Sequence, residues 1–211
     1  MYRHFARLLC IAVCLMAVAA FAQDEFSGDV YNTQPGKDAV LQAKIYMTKD
    51  KMRIESQQQR AGAGGVMILN FSAQTNTILM PERKMYMEFP QGQGPQQRAF
   101  QYFRISDVQN ACGEWQKLAT NHGATCRKVG TETVNGRSTV KYEGTSAAGE
   151  TGDFWLDPAL RFPVKWSGKN GSSELRNISV GSQPSGLFEI PAGFQKMQLP
   201  MGMPPNMQPH P

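Results

Sequence analysis

The chain has 211 residues, with 22 Lys plus Arg against 17 Asp plus Glu, a formal charge of +5 and 41% hydrophobic residues. Its basic residues are scattered, which excludes the clustered cationic face that nucleic-acid binding needs. The length and apolar content suit one domain with a sizeable core.

The first 22 residues read as a secretory signal peptide. Arg3, His4 and Arg7 form a basic region, Leu8 to Ala20 an apolar run, and Ala20-Phe21-Ala22 a small-x-small cleavage site before Gln23. A membrane anchor is the alternative, but an apolar run of about 13 residues is too short to cross roughly 30 Å of hydrocarbon. Gln23, where a lipidated protein has cysteine, argues against acylation at the cut. The expectation is a periplasmic or secreted protein that does not span the membrane.

The chain then alternates apolar and polar residues in short segments. Phe26 to Tyr31 is the first expected strand, Ala39 to Thr48 the second and Lys51 to Glu55 the third. After a Gln- and Gly-rich loop, Val66 to Phe71 is apolar on both faces, as a strand covered on both sides requires. Thr77 to Met80 and Lys84 to Phe89 complete an antiparallel meander. Its alternation places Met47, Met52, Ile54, Met67, Leu69, Met80, Met85 and Met87 on one face.

Pro90 to Gln97 is a low-complexity linker. Cys112 to Asn121 is the one good helical stretch, with Trp115 and Leu118 on one side. Strands resume at Cys126 to Thr133, and Val134-Asn135-Gly136-Arg137 is an Asn-Gly hairpin turn. Further strands are expected at Thr139 to Gly144, Gly152 to Asp157, Pro163 to Ser167, Glu174 to Val180 and Leu187 to Ile190. Ten or eleven strands with so little helix point to a mainly β fold, a curved antiparallel sheet or incomplete barrel. From Lys196 the sequence KMQLPMGMPPNMQPHP has five prolines and no periodicity. The expected organisation is therefore leader 1–22, one domain 23–195 and a Met/Pro-rich tail 196–211.

Beyond the leader, only Cys112 and Cys126 remain, and in an exported protein they read as one structural disulfide. The alternative, a redox site, lacks C-x-x-C spacing and an activating neighbour. His122 and His210 sit in no nucleophile motif, and Glu82, Glu88, Asp153 and Asp157 read as surface or turn carboxylates rather than a glycosidase pair. No catalytic, cofactor or metal site is expected. The tail's Met197, Met201, Met203, Met207 and His210 could hold Cu(I), with a biased unstructured tail as the alternative. The strand methionines fit core filling or an adaptable apolar binding wall.

Two blocks carry a resemblance. Residues 44–89, with KIYMTKDKMRIE and ILMPERKMYMEFP, and residues 128–197, with KVGTETVNGRSTVKYE, DFWLDPALRFPVKW and SQPSGLFEIPAGFQKM, resemble the bacterial exported domain-of-unknown-function family numbered 4412. That family is similar to the LolA/LolB/RseB lipoprotein-carrier superfamily. The resemblance implies a LolA-like half-open β-barrel of eleven strands with a short helical lid, whose cavity shelters a hydrophobic ligand or lipoprotein acyl chains. The expected cavity wall is the eight-residue face above, with Trp155 and Trp166 near one rim. The RseB likeness implies an alternative, an envelope protein-interaction or stress-sensing module.

Overall fold

The computed structural model describes residues 25–57, 65–90, 105–117 and 123–197. Its elements run β1 (Phe26–Thr33), β2 (Val40–Met47), β3 (Lys51–Ser56), β4 (Val66–Asn70), β5 (Thr75–Met80), β6 (Met85–Pro90), α1 (Ala111–Gln116), β7 (Thr125–Val134), β8 (Arg137–Thr145), β9 (Thr151–Asp157), β10 (Phe162–Gly168), β11 (Gly171–Val180) and β12 (Gln195–Lys196). All twelve strands form one sheet in the order β12-β6-β5-β4-β3-β2-β1-β11-β10-β9-β8-β7. This is the mainly β, curved and open architecture that the alternation predicts; among the described residues β1 to β11 fall where strands are expected, and β12 is new. The leader, the 91–104 linker, residues 118–122 (with Leu118 and His122) and residues 198–211 lie outside the described residues.

Two sequential meanders, β2 to β6 and β7 to β11, are joined through β1. Strand β1 pairs antiparallel with β2 on one edge, Val30 opposite Ala43, and with β11 on the other, Val30 opposite Leu175. Local turn chemistry sets each register. Asn135 and Gly136 have φ of 48° and 76°, the type I′ geometry that matches the twist of a two-residue hairpin. At the β9–β10 turn the buried Asp157 carboxylate accepts from Arg137 and from the backbone N–H groups of Ala159 and Leu160, which compensates its burial. The expected Trp155-x-Asp157 strand end and turn are therefore built around one carboxylate.

The face of the curved sheet that carries the core is called its concave side. Phe26, Ile45, Met47, Met52, Phe162 and Leu175 are all within 1% of complete burial, and the Phe26 and Phe162 rings meet edge-on at 5.5 Å.

The C-terminal segment departs from expectation. Leu187 to Ile190 is not a strand. Pro184-Ser185-Gly186 supplies turn chemistry, and Ser185–Phe188 winds into a 3-10 helix. It packs on the convex side of β3, where the Arg53 guanidinium donates to the Leu187 carbonyl at 2.7 Å. The chain then reaches the sheet edge, where β12 pairs parallel with β6, Gln195 opposite Met85 and Lys196 opposite Tyr86. Met197 continues the ladder by donating to the Tyr86 carbonyl at 2.8 Å. The sheet thus takes in residues that the sequence assigns to the tail.

Candidate functional site: the concave face

The register brings the predicted wall together. Met47 lies opposite Met52 and Met52 opposite Leu69, while Ile54 pairs with Met67, Met67 with Ile78 and Ile78 with Met87. Met80 pairs with Met85. Directly opposed residues share a face, and so do residues two apart on a strand, so all eight project from one side of β2–β6.

Burial divides the eight. Met47, Met52, Ile54 and Leu69 are exposed by only 1%, 0%, 3% and 6% and belong to the main core cluster. Met67, Met80, Met85 and Met87 are half-buried, as are Ile78 and Phe89 on the same face. The sheet therefore fills its centre with the first group and leaves the second as a partly open apolar surface toward the β6 edge. Between Leu69 and Phe89 stands Asn76, whose side-chain carbonyl oxygen is buried without a hydrogen-bond partner. Ile78, Phe89 and Asn76 join the face without having been singled out from the sequence, and Met197, expected in the tail, joins it at the edge. The alternation of β5 and β6 carried the first two, while Met197 depended on a distant pairing.

The two tryptophans leave the sheet on opposite faces, and both pack with the main core cluster. Trp166 pairs with Phe154 and packs on the concave side against both core clusters. Trp155 is the next residue after Phe154, so the two leave β9 on opposite faces; Trp155 is buried in the main core cluster, with Lys141 and Lys165 4.8 and 5.0 Å from its ring centroid. Its indole N–H donates to Glu132 at 2.7 Å, and this bond, helped by Lys141, holds the Glu132 carboxyl below its ordinary pKa. Phe154-Trp155-Leu156 is apolar at every position, so alternation gave no way to assign the faces.

The far end of the concave face is capped. Residues 105–117 sit over Tyr142, Phe154 and Leu156, with Ile105 and Ala111 fully buried against them. The Trp115 and Phe154 rings stack at 5.8 Å, and Tyr142 and Phe154 at 5.2 Å. A β-carbon at Gly144 would fall 2.6 Å from the Trp115 ring, so glycine there makes the space that the indole occupies. The Tyr142 hydroxyl donates to the Val108 carbonyl. The expected Cys112–Cys126 disulfide is present and ties α1 to β7, with Cα atoms 5.4 Å apart. Burial raises the Glu114 pKa, but the Ser106 hydroxyl and the Asp107 and Ser106 N–H groups outweigh it and hold the carboxyl below its ordinary value.

Among the described residues no three His, Cys, Asp or Glu side chains come together as metal ligands, and no helix is long and apolar enough to cross a membrane. What the face offers chemically is apolar contact by adaptable side chains.

No protein-family model and no curated protein sequence matches the chain. Solved structures do. An uncharacterized conserved protein from Thermus thermophilus aligns with 83% of this chain and 90% of its own, at 10% identity and a TM-score of 0.53, which supports a common fold. MucB in the Pseudomonas aeruginosa MucA/MucB complex aligns with 80% of this chain and 57% of its own, at 16% identity and a TM-score of 0.45. A LolA superfamily protein from Nitrosomonas europaea aligns with 80% of this chain and 91% of its own, at 11% identity and a TM-score of 0.33.

Proposed function

We propose that the protein is a non-catalytic binding protein of the bacterial envelope, exported by the 1–22 leader, that shelters a hydrophobic or lipidated ligand against its concave face. Membership of the family numbered 4412, and through it a carrier-like role, belongs to the same proposal. The observation that carries it is the half-buried surface of Met67, Ile78, Met80, Met85, Met87 and Phe89 beside a filled core. Met47, Met52, Ile54 and Leu69 support that surface from beneath, and Trp166 bounds it toward the capped end. Trp155, buried in the main core cluster, supports the site rather than lining it.

The physical need for such a shelter is large. Each methylene hidden from water contributes about 0.8 kcal/mol, so a 16-carbon chain costs on the order of 12 kcal/mol to expose. Unbranched thioether side chains adapt to chains of different length and branching at little rotameric cost.

The test is native mass spectrometry of protein purified from the periplasm, followed by organic extraction. An extra mass that extracts as a lipid, and that is absent from a Met85→Glu, Met87→Glu variant of unchanged stability, supports the reading. A clean apo mass that ignores added fatty acids and lipopeptides overturns it.

A second reading, a docking module for an envelope protein, is favoured by β7. Among the described residues this ten-residue strand pairs only with β8, is exposed along most of its length and shows Val129 at 45%. Such an edge suits strand addition by an extended peptide. Proline at Val129 would then abolish partner capture and leave lipid binding intact.

A further inference from the structure

We propose that the β5–β6–β12 corner of the concave face is a binding site for a soft monovalent metal ion, Cu(I), held by the thioethers of Met85, Met87 and Met197 with Met80 completing the set. This goes beyond the proposed shelter for a hydrophobic ligand and does not rest on it.

The inference comes from a juxtaposition that depends on the last strand. Parallel pairing sets Gln195 opposite Met85 and Lys196 opposite Tyr86, and the ladder continues through the Met197 N–H to the Tyr86 carbonyl. Met197 therefore stands beside Met87, on the face that carries Met85. The Lys196 ammonium reaches Glu88 on the opposite side at 3.0 Å, which fixes the alternation independently. Met80 lies directly across from Met85 on the next strand. Four methionines thus share one corner of one face, on β5, on β6 and just after β12, and all four are half-buried rather than packed into the core.

The chemistry follows from the donor type. Strands lie about 4.8 Å apart, and three rotatable bonds let each sulfur swing toward a common point over such a patch. Thioethers are soft and neutral, so they suit Cu(I) and offer little to hard or divalent ions that want oxygen, nitrogen or thiolate. The site sits at the root of the segment that carries Met201, Met203 and Met207. Those residues could feed the ion to it, but the binding proposed here belongs to the sheet.

The experiment is an anaerobic titration of the full protein, purified from the periplasm, with Cu(I) against a chromophoric competitor. One equivalent should bind. Replacing Met85, Met87 and Met197 by leucine should weaken affinity by at least about 100-fold, the upper end of what losing even an outer-shell partner costs a metal site. Leucine at Met201, Met203 and Met207 should leave it unchanged. Should the triple sheet variant not fold, methionine-methyl NMR of the unaltered protein with Ag(I) decides. Shifts at Met80, Met85, Met87 and Met197 with Met47 and Met52 unmoved support the site. No competition for Cu(I), an unaffected sheet variant, or loss of binding only in the tail variant would each overturn it.

Discussion

The two ends of the concave face are built from the same alternation and finished differently. At the β8–β9 end, Tyr142, Phe154 and Leu156 are roofed by residues 105–117, their rings stacked, the tyrosine hydroxyl bonded and the roof tied down by a disulfide. At the β4–β6 end, Met67, Met80, Met85 and Met87 stay half-buried, and the stabilising C-terminal segment passes behind the sheet and along its edge rather than over the face. Rigid aromatic rings in fixed geometry specify one arrangement, whereas unbranched thioethers tolerate many. One end therefore serves stability and the other is free to serve binding.

That division can be broken in several ways. The largest effect is expected from Phe154→Ala, which removes the ring between Trp115 and Tyr142 and should cost about 3–5 kcal/mol in urea denaturation. A much smaller loss would mean that the roof is not seated on that ring. Replacing both Cys112 and Cys126 by serine should cost about 3 kcal/mol in the chain-entropy model, yet leave the methyl resonances of Met85 and Met87 in place. Movement of those resonances would show that the two ends are coupled. Gly144→Ala forces the Trp115 ring to shift and should cost about 1–3 kcal/mol, visible as a lower thermal midpoint and altered tryptophan fluorescence. By contrast, Met87→Leu should change stability by less than about 1.5 kcal/mol while altering ligand selectivity.

The smallest effect concerns acid. Because the folded protein holds Glu114 below its ordinary value, its contribution is fully present above the unfolded-state pKa and is lost as pH falls through the lowered folded value. The natural protein should therefore exceed Glu114→Gln in stability at neutral pH, and the gap should close in acid. A gap that stays constant across that range would remove Glu114 from the roof's electrostatics.

Much of this was legible in the sequence because strands carry their own period. All eight residues of the predicted wall project from one side, and Asn135-Gly136 turns the chain where the dipeptide says it should. The rest depended on pairing between distant segments. Nothing local to Phe154-Trp155-Leu156 says which ring meets the roof, since that is settled by Tyr142 and Trp166 arriving beside Phe154 from neighbouring strands. Nor does Gln195-Lys196 announce a strand, because two residues become one only when the β6 edge is there to receive them. Which methionines fill the core and which stay open is likewise a matter of what covers them, and covering is a property of the whole chain.

The position of β1 sets the order in which the molecule can be assembled. It is made first, yet one of its two neighbours, β11, is among the last strands to be made, so Val30 must wait for Leu175. The β1–β6 meander can zip up from local contacts while the outer edge of β1 stays unpaired at what will become the middle of the sheet. Assembly therefore proceeds as two half-sheets with a late, high-separation seam, which is intrinsically slow. Until the seam shuts, the vulnerable edge is an internal one, and agents that bind extended chain would find their target there rather than at either margin of the finished protein.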